Sequence, residues 1–279
     1  QSFGTSKKQN PCNVTSPGKK TRFITYCQRI AAILLLPVII AIVALMMKKD
    51  HQEPLIAYNE VTAPYGMVSS LTLPDSSKVW LNAGSTLKYP TAFTSNVREV
   101  EMSGEAYFEV HADKEHPFIV NTGDLKVTAT GTAFNICSFA KAQEEVITLV
   151  TGKVAVSQEN NIKHLLPGQQ LNYQRASKSM EITDIDTYKY ISWKDGILAF
   201  RDDPLKSIFN RLEQVYQVRF ILKDTSINQF TYRATFKGET LDEILDYMGM
   251  SIPITFRTTE TEKEGNDSIN VRTIEVYKN

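Results

Sequence analysis

Three patterns of hydrophobic and polar positions divide the chain. From Ile30 to Met47 every residue is apolar, Pro37 included, with no charge, amide or hydroxyl. At about 1.5 Å of rise per helical residue, such a run matches the hydrocarbon thickness of a membrane. The pattern predicts a single transmembrane helix over residues 30–47, in which one proline is tolerated because its freed carbonyl is satisfied locally. From Leu55 to Ile185 the apolar residues alternate with polar ones in short runs, and no helical period is sustained. Leu71–Leu73 and Lys78–Leu81 flank the turn cluster Pro74-Asp-Ser-Ser77 and predict a hairpin. Further strands are predicted at 97–102, 106–110, 118–121, 125–130, 133–137, 146–149, 153–157, 170–173 and 180–185. Gly84, Gly104, Gly123, Gly131, Gly152 and Gly168 fall between or beside them as turn or bulge positions. Many short strands at this spacing predict an all-β domain, built as a sandwich or as a solenoid-like stack.

The third pattern begins at Ile197-Leu-Ala-Phe200, a strand. Asp203-Pro204 then reads as a helix start, with Asp as cap and Pro in the first turn. Leu205, Ile208, Phe209, Leu212 and Val215 make one helical face, and Val218–Leu222 returns as a strand. The unit repeats at an offset of 36 residues: Phe200 with Phe236, Leu205 with Leu241, Ile208-Phe209 with Ile244-Leu245, Leu212 with Met248, Val218 with Ile254, and Phe220 with Phe256. This predicts two βαβ repeats packed as one small α/β domain, closed by a last strand at 269–277 after a polar loop at 258–267.

Charge changes this picture by giving it a direction. The 279 residues are neutral overall, yet residues 1–29 hold Lys7, Lys8, Lys19, Lys20, Arg22 and Arg29 and no acidic residue. Only Lys48 and Lys49 follow the apolar run closely, so the positive-inside rule places the N-terminus in the cytoplasm and the body across the membrane. The basic arm reads as a juxtamembrane lipid contact, with no nucleic acid implied. Cys12 and Cys27 fall on the reducing side and Cys137 is alone on the other, which leaves no disulfide within the exported part. Cys137 reads as a small core residue.

Enzyme chemistry finds little footing. No glycine-rich phosphate loop, paired-cysteine metal motif or nucleophile elbow is present. His111 and His116 near Glu109 lack a third firm ligand, so neither a metal nor a cofactor is expected. Glu105 and Glu109 are about 13 Å apart along a strand, too far for a glycosidase pair, and are expected to make structural hydrogen bonds.

Residues 61–156 resemble the FecR family of transmembrane sigma-factor regulators. The resemblance rests on 71–82 (LTLPDSSKVWLN), 85–90 (STLKYP), 98–110 (REVEMSGEAYFEV), 117–120 (PFIV), 131–136 (GTAFNI), 148–156 (TLVTGKVAV) and 166–168 (LPG). Ser76 stands where the family's turn usually has glycine, and a different turn type is expected there. Residues 192–279 resemble the C-terminal domain of Bacteroidetes-type members, related to secretin and TonB N-terminal (STN) modules, through Trp193–Phe200 and Pro204-Leu205. The organisation expected is a cytoplasmic basic linker at 1–29, the span at 30–47, a periplasmic linker at 48–60, a FecR-like all-β domain at 61–191 and an STN-like domain at 192–279.

The resemblance implies a non-enzymatic relay at the inner membrane. The periplasmic signalling domain of an outer-membrane TonB-dependent transporter, loaded with a glycan or ferric siderophore, contacts the exported part. The regulator in turn controls an extracytoplasmic-function sigma factor for uptake genes. A membrane-anchored periplasmic adaptor or scaffold without a sigma partner is the alternative. The family's sigma-binding helices precede the span, and with 29 residues before Ile30 and Gln1 at the start they are expected upstream of this sequence. Some members cleave themselves between the Gly and Thr that match Gly131 and Thr132, a single-turnover step in which the threonine hydroxyl attacks the preceding carbonyl.

Overall fold

The computed structural model describes residues 26, 29–31, 33, 35, 37–43, 57–263 and 270–279. The basic arm apart from residues 26 and 29, the histidine at 51 and the tip of the polar loop lie outside them. Of the expected span, residues 30, 31, 33, 35 and 37–43 are helical (α1) and exposed, and positions 32, 34, 36 and 44–47 lie outside the described residues. Among the described residues no helix is long and apolar enough to cross a membrane. α1 belongs to a unit separate from residues 56–279.

The body opens with β1 (Tyr58–Thr62), β2 (Ser69–Thr72), β3 (Lys78–Leu81), β4 (Thr86–Pro90), β5 (Arg98–Glu109), β6 (Phe118–Asn121) and β7 (Lys126–Ala129). It continues with β8 (Ala133–Ser138), β9 (Glu144–Thr151), β10 (Val154–Gln158), β11 (Asn161–Leu165), β12 (Gln169–Gln174) and β13 (Ser179–Asp184). These 13 strands make one nearly closed sheet in the order β11-β10-β7-β6-β5-β8-β9-β12-β13, with β1-β4 and β2-β3 joining at β5. The N-terminal half of β5 pairs with β4 and β6, the C-terminal half with β3 and β8. The sheet therefore folds over on β5 into two facing layers. Neighbours such as β7 and β10 pair antiparallel, unlike the parallel stacking of successive solenoid coils, and the expected all-β domain is one nearly closed sheet.

The two strands expected at 97–102 and 106–110 are one. Gly104, expected as a turn or bulge position, lies within β5 at φ +103°. A Cβ there would come within 2.4–2.7 Å of Ser85 atoms. The absent side chain lets β5 pass from one layer to the other against Ser85, whose hydroxyl accepts from the Glu105 amide at 2.8 Å. Between the layers, Phe108 stacks on Phe134 (5.1 Å between centroids) and tilts against Phe118, among Leu81, Leu87, Ile136, Ile147 and Leu149, all fully buried.

A short helix α2 (Tyr188–Ile191) and a 3₁₀ turn (Ser192–Asp195) lead into β14 (Ile197–Pro204), α3 (Leu205–Tyr216), β15 (Val218–Leu222), a 3₁₀ turn (Thr225–Gln229), β16 (Thr231–Lys237), α4 (Leu241–Ser251), β17 (Ile254–Lys263) and β18 (Asn270–Lys278). The 36-residue repeat shows in the core: Phe200 and Phe236, Leu205 and Leu241, Ile208 and Ile244, Leu212 and Met248, and Val218 and Ile254 are all buried together. The repeats are not βαβ units within one sheet, however. Their first strands, β14 and β16, pair antiparallel with each other, and the second strands β15 and β17 flank β18 in a separate sheet. Each helix thus carries the chain from one small sheet to the other.

The expected cap at Asp203 is also corrected. β14 runs on to Pro204, no side chain caps α3, and the Asp203 carboxylate accepts from the Arg201 amide at 2.9 Å, closing a bulge between Phe200 and Asp203. α4 has a full capping box: the Thr240 hydroxyl accepts from the Glu243 amide, and the Glu243 carboxylate accepts from the Thr240 amide.

Candidate functional site

Gly131 and Thr132 occupy the connection from β7 into β8. Gly131 has φ +127°, and a Cβ on it would lie 2.8 Å from the Ala112 Cβ and 2.9 Å from its Cα. The segment carrying Ala112 cannot easily yield. Arg98, buried in β5, holds it by donating to the carbonyls of His111 (3.0 Å), Asp113 (3.4 Å) and His116 (2.8 Å). The same guanidinium is paired with Asp75 at 2.6 Å. On the next residue, Thr132 is 5% exposed, and its carbonyl accepts from the Val110 amide at 2.9 Å. Its hydroxyl is buried and has no hydrogen-bond partner among the described residues. An unsatisfied buried hydroxyl is unusual enough to ask for a role. The family resemblance singled out the pair, but the orphaned hydroxyl and the close approach of the Ala112 segment come only from the fold.

A second polar cluster joins the β body to the terminal domain. Glu105 points outward from β5 yet is only 4% exposed, because α3 covers it. Its carboxylate accepts from Asn82 Nδ2 (2.6 Å) and Asn135 Nδ2 (3.0 Å) and forms an ion pair with Arg211 of α3. Asn135 in turn accepts from Trp193 Nε1 at 3.1 Å, and Trp193 is 3% exposed. Burial alone would disfavour the Arg211 charge, but the Glu105 charge and hydrogen bond outweigh it and raise the guanidinium pKa. Beside this clasp, Lys194 lies 5.7 Å from the Trp80 ring centroid and 5.4 Å from that of Tyr107. Burial first, then the charges of Glu109 and Asp195, push the Tyr107 phenol up to about 12.

The expected structural hydrogen bonding of Glu105 is thus present. Its charged partner, Arg211, was invisible to sequence reasoning at a separation of 106 residues. Glu109, the other carboxylate considered, is exposed at the end of β5. His111 is exposed, while His116 Nδ1 pairs with Asp113 at 2.8 Å, and among the described residues no cluster of three metal-ligating side chains forms. Cys137, half-buried, lines the roughly 370 Å³ cleft beside the clasp together with Glu105, Asn135, Trp193 and Arg211. Desolvation, with the Glu105 charge behind it, pushes its thiol pKa far above the usual cysteine range, which leaves it a neutral wall residue.

Comparison with known proteins agrees with both halves of this architecture. Residues 59–161 match the family described as FecR protein, and residues 197–264 match the one described as FecR, C-terminal. A 1.65 Å crystal structure of a candidate anti-sigma factor from Parabacteroides distasonis ATCC 8503 is 30% identical, with a TM-score of 0.68 over 79% of this chain and 99% of that chain. A 2.50 Å crystal structure of a candidate anti-sigma factor from the same organism gives 30% identity and a TM-score of 0.68 over 80% of this chain and 100% of that one. No curated protein matches. With a two-part match of this extent, the chain belongs to the FecR family.

Proposed function

We propose that this chain is an inner-membrane signal transducer of the anti-sigma type. The observation that carries the reading is the 30% identity to a candidate anti-sigma factor over 79% of the chain, across both the β body and the terminal domain. The apolar run at 30–47 supports a single-pass anchor with the N-terminus cytoplasmic and residues 48–279 periplasmic. The body receives its signal from the periplasmic signalling domain of an outer-membrane TonB-dependent transporter. The terminal domain suits this role because its small sheets leave β15 and β17 as edges, to which a partner strand can add. On the cytoplasmic side the protein controls an extracytoplasmic-function sigma factor for nutrient or glycan uptake genes. Affinity purification of the full-length protein from its host tests this. A sigma factor and a transporter signalling domain are expected to co-purify; recovery of the signalling domain without a sigma factor would favour a periplasmic adaptor instead.

Self-scission at Gly131–Thr132 belongs to the same reading and is supported by the buried, unpartnered Thr132 hydroxyl and the left-handed Gly131. Thr132 Oγ1 adds to the Gly131 carbonyl carbon, and the hydroxyl proton passes to the Thr132 nitrogen as the C–N bond breaks, giving an ester. Water then hydrolyses the ester, leaving a carboxylate on Gly131 and a free amine and hydroxyl on Thr132. Tagged protein followed in cells should run as two fragments, and Thr132→Ala should abolish the cut. A wild-type protein that stays a single band defeats this part of the reading.

A further inference from the structure

Gly152 lies in the turn between β9 and β10, with φ +87°. A Cβ on it would fall 2.6 Å from Thr132 Cγ2, 2.8 Å from the Gly131 carbonyl oxygen and 3.2 Å from Thr132 Cα. None of these three atoms is the loose end of a flexible side chain. Two belong to backbone, and the third is a methyl on a β-branched side chain that is stiff at χ1. The Gly131–Thr132 peptide is therefore closely flanked by the Arg98-held segment at Ala112 and by the bare backbone of Gly152, with no room for a side chain at either glycine.

We infer that Gly152 is a positioning residue for scission at Gly131–Thr132: the space left by its missing side chain seats the Thr132 methyl and the Gly131 carbonyl, and so aims the threonine hydroxyl at the carbonyl carbon. The inference rests on the scission reading above. With Cγ2 seated against Gly152, one of the three staggered positions on the Thr132 Cβ is fixed, and with it the place of Oγ1. The carbonyl oxygen, which takes the negative charge when Oγ1 adds, is held on the same side. A side chain at position 152 would turn Thr132 to another rotamer or push the carbonyl away. Displacement of reacting atoms by about 1 Å costs on the order of 100-fold in rate.

The test follows scission of the full chain by intact mass, in fresh protein and over time. Gly152→Ala is expected to slow the cut by about tenfold or more. Gly123→Ala provides the control: it has a comparable left-handed backbone, φ +96°, but open space around its Cβ position, and is expected to cut at the wild-type rate. Gly152→Asn carries the same Cβ on a residue that tolerates the left-handed region, and it reads the crowding should the alanine variant fail to fold. Thr132→Ser keeps the hydroxyl and removes the methyl nearest the new Cβ, so the fold-loss caused by Gly152→Ala should be smaller in the serine background. Wild-type speed in both position-152 variants, or the same fold-loss in serine and threonine backgrounds, overturns the inference while leaving scission standing. An uncut wild type overturns both.

Discussion

At Ser76 a side chain sits where backbone geometry asks for none. Ser76 has φ +70°, so the hairpin turn keeps the left-handed conformation that glycine favours, contrary to the expectation of a different turn type. The neighbours hold it there: Asp75 accepts from both the amide and the hydroxyl of Ser77 and pairs with Arg98. Ser76→Gly should stabilise the body by about 0.5–1 kcal/mol, seen as a rise in urea midpoint, because the left-handed penalty is relieved. Glu145 is a second residue at odds with its surroundings. It is fully buried, and desolvation raises its pKa although Thr122 and Arg175 donate to it at 2.6 and 3.1 Å. A raised folded-state pKa means that the native protein holds this proton more tightly than the unfolded chain. The contribution to stability is therefore full below the unfolded value, near 4.5, and is lost as pH rises through the folded one. Stability measured from pH 4 to 7 should carry a downward component that Glu145→Gln removes.

Among the elements, those with a periodic core face were legible and those shaped by a distant partner were not. Leu205, Ile208, Leu212 and their counterparts Leu241, Ile244 and Met248 announce both helices because each must point one stripe at a shared core. The same periodicity says nothing of which sheet a strand enters, so β14 and β16 pairing with each other came only from the fold. β11 escaped notice since Asn161–His164 are all exposed and show no alternation. Gly104 misled because a glycine seated against another backbone leaves the same trace in sequence as a glycine in a turn. The candidate site divides the same way: the Gly-Thr pair was reachable through the family resemblance, while the flanking segment at Ala112, Gly152 and the Arg211 clasp depend on long-range approach. That clasp has a measurable weight. Arg211→Met strands the Glu105 charge beneath α3 and should cost about 3 kcal/mol in denaturant melts. Adding Glu105→Gln should restore most of it, since the buried charge goes with its partner.

For the whole molecule, the order of strands decides what a cut can do. The Gly131–Thr132 peptide separates β1–β7 from β8–β13, yet β5 pairs with β8 and β7 with β10 across that division. The Glu105–Arg211 pair crosses it as well. Cut protein should therefore elute from a sizing column as one species and release its fragments only in denaturant. The interleaving also changes what kind of object the molecule is under load. In the intact chain, tension between its two ends is borne in the last resort by covalent bonds. After the cut the same tension falls on two hydrogen-bonded ladders, the Glu105–Arg211 and Asp124–Arg175 ion pairs and the shared core. The force needed to part the ends would then drop from that of breaking a backbone to that of opening a seam.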